Sequence, residues 1–245
     1  MELFNKIISS KKELINFTLN KLLNSKGILF TYFDFHAFNH VKNNKKYCSL
    51  MIDNFYIFQD GIGMYLALNY LRKDADRLVS TDYFNWLIKK ITKTKKKIFL
   101  LGYDFKNEFV ESKSKEKNLY LIGYHHGFFN SCCQETIINS IKDSNAEFVF
   151  IGMGKPKQEF IAAELKKHLP EINYVCVGNF FNYYFDIKKR APSLIQHLQL
   201  EWLYRVVKEP RRLFFRYFLG IPLFIYYMLT YQRAKFNRGL NYEDT

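Results

Sequence analysis

Three stretches of this chain combine residue types that could do chemistry. Gln59-Asp60-Gly61-Ile62-Gly63 places a carboxylate between an apolar run and a helix-like segment. A carboxylate at such a junction can accept a proton from a hydroxyl, or it can cap the helix by accepting a backbone N–H. Ile151-Gly152-Met153-Gly154-Lys155-Pro156-Lys157-Gln158-Glu159 reads as a strand, a glycine turn and a helix with proline near its first turn. Gly152 and Gly154 would let the backbone approach a phosphate beside free N–H groups. The spacing fits neither a Walker loop nor a G-x-G-x-x-G fingerprint, and a plain tight turn is the alternative. The third stretch is an arginine series: Lys189-Arg190, Arg205, Arg211-Arg212 and Arg216. Planar guanidinium forks suit a diphosphate, while a solvated basic face or an anionic-lipid patch would use the same charges.

Other candidates carry less. Asp74-Ala75-Asp76 resembles a metal-holding D-x-D pair but sits in a polar run, Leu71-Arg72-Lys73-Asp74-Ala75-Asp76-Arg77, and reads as a charged surface loop. His125-His126 has no third ligand in sequence and reads as a loop feature. No G-x-S-x-G or other nucleophile signature occurs. Neither a metal nor a cofactor is expected.

These motifs need a scaffold, and short apolar runs alternating with helical patterns supply one. Strands are expected at Gly27–Tyr32, Asn54–Phe58, Lys97–Leu101, Asn118–Ile122, Glu147–Ile151 and Asn173–Val177. Helices are expected at Gly63–Arg72, Asp82–Ile91, Gln134–Ser144 and Lys157–His168, with Thr81 and Asp82 suited to a helix start. Strand–helix alternation predicts an α/β fold with a largely parallel sheet. Ligands of such sheets bind beyond the carboxyl ends of the strands, where Asp60-Gly61, Gly102-Tyr103-Asp104 and Gly152-Met153-Gly154 fall. After about residue 190 the pattern changes: from Lys188 to Arg238 there are eleven lysines or arginines against Glu201 and Glu209, with aromatics interleaved. Residues 1–190 therefore read as an α/β core and 191–245 as a basic, aromatic helical appendage.

Composition narrows the partners. The 245 residues carry a net charge of +14 and are 48% hydrophobic and 18% aromatic, with 25 Phe and 18 Tyr. An anionic partner is implied: nucleic acid, an anionic membrane or a diphosphate. Cys48, Cys132, Cys133 and Cys176 include no C-x-x-C pair and read as reduced cytosolic thiols. The charged N-terminus does not read as a secretory signal. The apolar run Leu213–Leu229 is interrupted by Arg216, Gly220 and Pro222 and falls short of the ~20 residues a span needs. It reads as lying on a membrane or packing against protein.

Taken in order, the motifs resemble the WecG/TagA/CpsF glycosyltransferase family from about Gly27 to Ile225. The pieces are Thr31-Tyr32-Phe33-Asp34, Asp60-Gly61-Ile62-Gly63, Arg77-Leu78-Val79-Ser80-Thr81-Asp82, Gly123–Phe129, Gly152–Glu159, Arg190-Ala191-Pro192, Glu201–Arg205 and Glu209-Pro210. The resemblance implies a Rossmann-like core with a C-terminal helical, membrane-associating appendage that helps complete the site. It also implies inverting, metal-independent transfer from a UDP-sugar, N-acetylmannosamine-like or another hexose, to a polyprenyl-diphosphate-linked sugar. The products would be cell-surface polysaccharides made at the inner face of the cell membrane. On that pattern Asp60 matches the general base. Thr31, Asp34, Arg77, Gly152, Gly154, Gln158 and Glu159 match donor- or acceptor-binding positions, and Arg190, Arg205, Arg212 and Arg216 the diphosphate contacts.

The chain departs from the pattern twice. Asp34 stands where the family usually has Asn, and Phe181-Asn182-Tyr183-Tyr184-Phe185-Asp186 replaces the usual Phe-Asp followed shortly by Gly. Donor preference is therefore expected to depart there. A catalytically inactive membrane-surface scaffold and a nucleic-acid-binding module are the rival readings; no nucleic-acid motif supports the second. Homo-oligomerisation stays open.

Overall fold

The computed structural model describes residues 2–71, 73–129 and 134–243. In chain order the elements are α1 (Glu2–Lys6), β1 (Ile7–Ile8), α2 (Lys11–Phe17), β2 (Leu29–Phe33), α3 (Phe35–Asn43), α4 (Lys45–Asn54), β3 (Phe55–Gln59), α5 (Gly61–Tyr70), α6 (Ser80–Lys93) and β4 (Ile98–Gly102). There follow α7 (Asn107–Glu116), β5 (Leu121–His125), α8 (Gln134–Asp143), β6 (Phe148–Gly152), α9 (Lys157–His168), β7 (Asn173–Cys176), α10 (Phe180–Tyr184), α11 (Ser193–His197), α12 (Glu201–Lys208), α13 (Pro210–Phe218) and α14 (Gly220–Glu243).

The seven strands form one parallel sheet in the order β1-β3-β2-β7-β6-β4-β5. Successive side chains of a strand point to opposite faces, and both faces are apolar here. Leu29, Phe33, Ile57, Phe99, Leu101, Val149, Ile151 and Tyr174 pack into one layer. Phe30, Phe58, Ile98, Leu100, Phe148, Phe150 and Val175 pack into the other. Such two-sided burial explains why the strands read as continuous apolar runs. Helix α6 shows the complementary pattern, burying Tyr83, Phe84, Leu87, Ile88 and Ile91 along one stripe.

The expected α/β fold is observed, with local differences. The strand expected at Asn118–Ile122 lies at Leu121–His125, because Asn118 (φ 53°) ends α7 in the left-handed region and the chain enters the sheet only afterwards. Helix α6 starts at Ser80 with Val79 at the cap position, not at Thr81-Asp82. Its first N–H is capped from outside the helix, by Asp60. The last residue of the expected helix Gly63–Arg72, like Cys132 and Cys133, lies outside the described residues.

Among the described residues no strand follows β7, and the later elements are the helices α10 to α14. Pro210–Tyr231 is long and apolar enough to cross a membrane by length and composition, with mean hydropathy 1.5, although only 17% of its most apolar window is buried. It exceeds the run Leu213–Leu229 because Pro222 falls in the first turn of α14, where a missing N–H costs no helical bond. One side rests on α3: Asn39 Nδ2 donates to the Gly220 carbonyl at 2.8 Å, and Phe224 meets Phe38 edge-on.

Salt links join this appendage to the core. Arg190 is bidentate to Glu201 of α12 (3.1–3.3 Å) and also pairs with Asp82 of α6. Hydrogen bonds to charged groups are worth about 1.5–3 kcal/mol, and partial exposure reduces this. Arg190→Ala is therefore expected to lower stability by about 1–2 kcal/mol, read by thermal or denaturant unfolding. Wild-type stability would mean that apolar packing alone holds α12.

Candidate active site

Every strand but the short edge strand β1 sends its carboxyl end to one cleft of about 1090 Å³. Its wall includes Asp34 after β2, Asp60 after β3, Tyr103 after β4, Gly127 and Phe128 after β5, Gly152–Lys155 from β6, and Gly178-Asn179 after β7. The far wall belongs to the appendage: Trp202, Arg205, Arg212, Arg216 and Tyr217. Pockets for single drug-sized ligands run to roughly 1,000 Å³, so this cleft is at the large end of that range.

Asp60 occupies the cap position of α5 but caps no N–H of that helix. Its Oδ1 accepts the Ser80 N–H at 2.7 Å, at the positive end of α6. Among the described residues no protein donor meets Oδ2. Burial and the Asp34 charge push the Asp60 carboxyl up from its ordinary value, against the Ser80 N–H, Lys155 and Arg205. A half-buried carboxylate with one oxygen anchored and the other unoccupied is suited to receive a proton.

Asp34 sits at the carboxyl end of β2, where its Oδ1 caps α3 through the Ala37 N–H (2.9 Å). Lys155 Nζ lies 3.2 Å from Oδ1 and Arg216 Nη2 2.7 Å from Oδ2. Burial opposes its charge, yet Lys155 and Arg216 hold the carboxyl far below the usual carboxylate range. The Lys155 ammonium also rests on the Tyr32 ring, 3.2 Å from its centroid. Burial and Arg216 push His36, on the same wall, down to about 3, so its imidazole is neutral at pH 7.

The arginines divide by environment. Arg205 has no carboxylate within ion-pair distance among the described residues; its guanidinium stacks over Tyr183 (5.2 Å), and it lines the cleft. Arg216 shares its charge with Asp34, and Arg212 bonds Glu209 at 2.7 Å; both line the cleft. Arg77 lines it from the loop before α6. That loop is held by Gln59, whose amide reaches the carbonyls of Ser9 and Asp76. Asp76 in turn accepts the Lys11 N–H at 2.7 Å, a structural role for the Asp74-Ala75-Asp76 run. Arg190 is not brought to the cleft, because Glu201 and Asp82 occupy its guanidinium.

Gly154 turns with φ +76° beside open space, leaving its backbone accessible from the cleft. Gly152 also lines the cleft, but a Cβ there would run into the Tyr103 ring, so its smallness serves packing. Thr31, Gln158 and Glu159 are fully buried beneath the floor and are not part of its lining. The Thr31 hydroxyl donates to Glu159 Oε1 at 2.9 Å, and Gln158 Oε1 accepts the Gly178 N–H at 3.1 Å.

The candidate list read from the sequence omitted Lys155, Asn179, Asn182, Tyr183, Trp202 and Tyr217. Lys155, Asn182, Tyr183 and Trp202 lay inside stretches already singled out. Tyr217 pairs with Trp202 only through a helix–helix stack, 5.7 Å between centroids, which no local pattern announces.

A parallel α/β sheet whose strand ends open into one cleft, roofed by C-terminal helices, defines a Rossmann-like protein. The family model for the glycosyl transferase WecG/TagA/CpsF family matches residues 3–238, and the chain belongs to that family. Its class of activity is glycosyl transfer.

Proposed function

We propose that this chain transfers a hexose, with inversion and without a metal, from a UDP-sugar to a polyprenyl-diphosphate-linked sugar at the inner face of the cell membrane, in cell-surface polysaccharide synthesis. The observation that carries this reading is the unoccupied Asp60 Oδ2 in a cleft whose opposite wall presents Arg205, Arg212 and Arg216. In one step Asp60 takes the acceptor hydroxyl proton, that oxygen bonds to the anomeric carbon, and the bond to the diphosphate oxygen breaks. The departing UDP carries the new negative charge, which fixed guanidinium groups stabilise in a partly dry site. In this reading Arg77 and the Gly154 turn, which line the cleft, serve the donor.

The same cleft has an apolar end, formed by Leu66 and Tyr70 of α5 and by Ile225, Met228 and Leu229 of α14. A lipid-linked acceptor would use both ends. Outside the cleft, Val207, Phe215 and Phe218 are about two-thirds exposed, beside Lys208, Arg211 and Arg212. Exposed apolar groups rimmed by cations suit an anionic bilayer surface. Replacing Phe215 and Phe218 together by Glu is expected to weaken sedimentation with anionic vesicles at least tenfold, at about 1.4 kcal/mol per factor of ten. Unchanged binding would remove this face from the membrane contact.

The reaction is tested by supplying a panel of UDP-sugars and a short-chain lipid-diphosphate-sugar acceptor, with and without EDTA, and measuring UDP release. Acceptor-dependent, EDTA-resistant release with one donor is the expected result. Release that EDTA abolishes would overturn metal independence, and vesicle binding without turnover on any donor would favour the scaffold.

A further inference from the structure

Beneath the floor of the cleft lies an acid that the transfer step does not use. Glu159, Gln158, Thr31 and Tyr47 are all 0% exposed. Glu159 Oε1 accepts both the Thr31 hydroxyl and the Gln158 Nε2 amide, each at 2.9 Å. This fixes the sense of the Gln158 amide: with its nitrogen turned to Glu159, its oxygen faces the Gly178 N–H. A reversed amide would set donor against donor. Gly178 (φ +56°) is where the chain leaves β7 for the cleft wall at Asn179. Thr31 is the polar residue between Leu29 and Phe33 on the otherwise apolar face of β2. One carboxyl on α9 thus links the middle of β2 to the turn that follows β7.

We propose that Glu159 is a positioning residue of the transferase site: its carboxyl sets the Thr31 hydroxyl, the Gln158 amide and, through them, the Gly178 turn, without touching substrate. This rests on the transferase reading of the cleft. Among the described residues the other carboxyl oxygen, Oε2, is buried without a partner, and so is Tyr47 Oη on α4, the helix packed against α9. An acid that keeps its proton has a donor at Oε2, whereas an ionised one leaves a bare charge there. Burial pushes Glu159 up to about 7, with Lys155, Gln158 and Thr31 pulling the other way. The charged and titratable groups facing it are Lys155 from the turn before α9, itself paired with Asp34, Tyr32 from β2, Tyr47 from α4, and Cys176 from β7.

A sign follows for each pH readout. The folded protein holds the Glu159 proton between about pH 4.5 and 7, where the unfolded chain has lost it. Stability from this group therefore falls as pH rises through that window and levels off above it. Ionisation also gives Lys155 a second carboxylate to answer besides Asp34, so the Asp34–Lys155–Arg216 arrangement on the wall loosens on the alkaline side.

The test compares wild type, Glu159→Gln and Glu159→Ala for kcat, KM and melting temperature between about pH 5.5 and 9, with carboxyl-carbon NMR of wild type. Glutamine reproduces the neutral acid, accepting at Oε1 and donating from Nε2. E159A is expected to lose roughly 100-fold in kcat, as misplaced site groups do. E159Q is expected to restore most of that loss, to flatten the alkaline limb of kcat, and to remove part of the fall in melting temperature between about pH 5 and 7. E159Q as impaired as E159A, or an E159Q profile superimposed on wild type, would overturn the proposal. Failure of wild type to transfer any sugar would reject the transferase reading instead. In that case the carboxyl resonance still reports on the network: titration near 7, lost in E159Q, upholds the proton-holding carboxyl, and titration in the ordinary glutamate range overturns it. An E159A chain that does not fold leaves the E159Q comparison and the resonance to decide.

Discussion

Asp60→Asn is expected to lower turnover by about 10²–10⁴-fold, the range that a positioned general base supplies, with little change in fold or UDP affinity. Asparagine keeps the oxygen that accepts the Ser80 N–H at 2.7 Å, so α6 retains its cap while the proton acceptor is lost. Asp60→Ala would remove the cap as well, at about 1 kcal/mol, which makes the Asn variant the cleaner probe. The loss should fall in kcat, since the proton moves only in the transition state. Neutralising a carboxylate in a cleft that takes a diphosphate should leave nucleotide binding equal or tighter, read by calorimetry. Because burial and Asp34 raise the Asp60 carboxyl, the acid limb of the wild-type profile should lie above the ordinary aspartate value and vanish in D60N. Near-normal turnover by D60N would reject the base assignment.

Arg205→Ala is expected to cost about 10²–10³-fold in kcat, the scale of losing one preorganised group at a developing negative charge. Arg205 is the sharpest choice among the late arginines. Arg190 is held by Glu201 and Asp82, Arg212 by Glu209, and Arg216 by Asp34. Arg205 instead rests on Tyr183 and lines the cleft without a carboxylate partner among the described residues. Lysine at this position should restore only part of the activity, because an ammonium gives up the planar fork. A structural role predicts a different result: lower thermal stability with kcat intact. The contrast with R190A makes the two roles separable, since that variant should lose stability first.

Asp34 shows how a local departure becomes a packing fact. At this position an aspartate adds a negative charge to the end of β2, and the fold answers with Lys155 from the β6–α9 turn and Arg216 from α13. Those two cations come from residues 121 and 182 positions further along the chain. Nothing near Asp34 in sequence announces them.

The α/β character and six of the seven strands seen among the described residues were legible in the chain itself. Strands buried on both faces must be apolar throughout, amphipathic helices must repeat every three to four residues, and both are local periodicities. The positions of Asp60 and the Gly152–Gly154 turn could be read because strand ends fall where apolar runs stop; Arg205, Arg212 and Arg216 lie on helices α12 and α13 and stood out in sequence only as part of a basic series. The role of each residue was not legible. Local sequence does not say which helix an aspartate caps; Asp60 caps α6 and not its own helix because Ser80, twenty residues on, lies where its Oδ1 can reach. Arg190 and Arg205 look alike in a run of basic residues, yet only Arg190 meets Asp82 across the core. Gln158 and Glu159 read as ligand contacts, but the turn of α9 points both inward to Thr31 and Gly178. Side-chain type and spacing are properties of the chain; which partner satisfies a charge or a hydrogen bond is settled by distances between segments far apart in sequence, and those exist only once the sheet has closed.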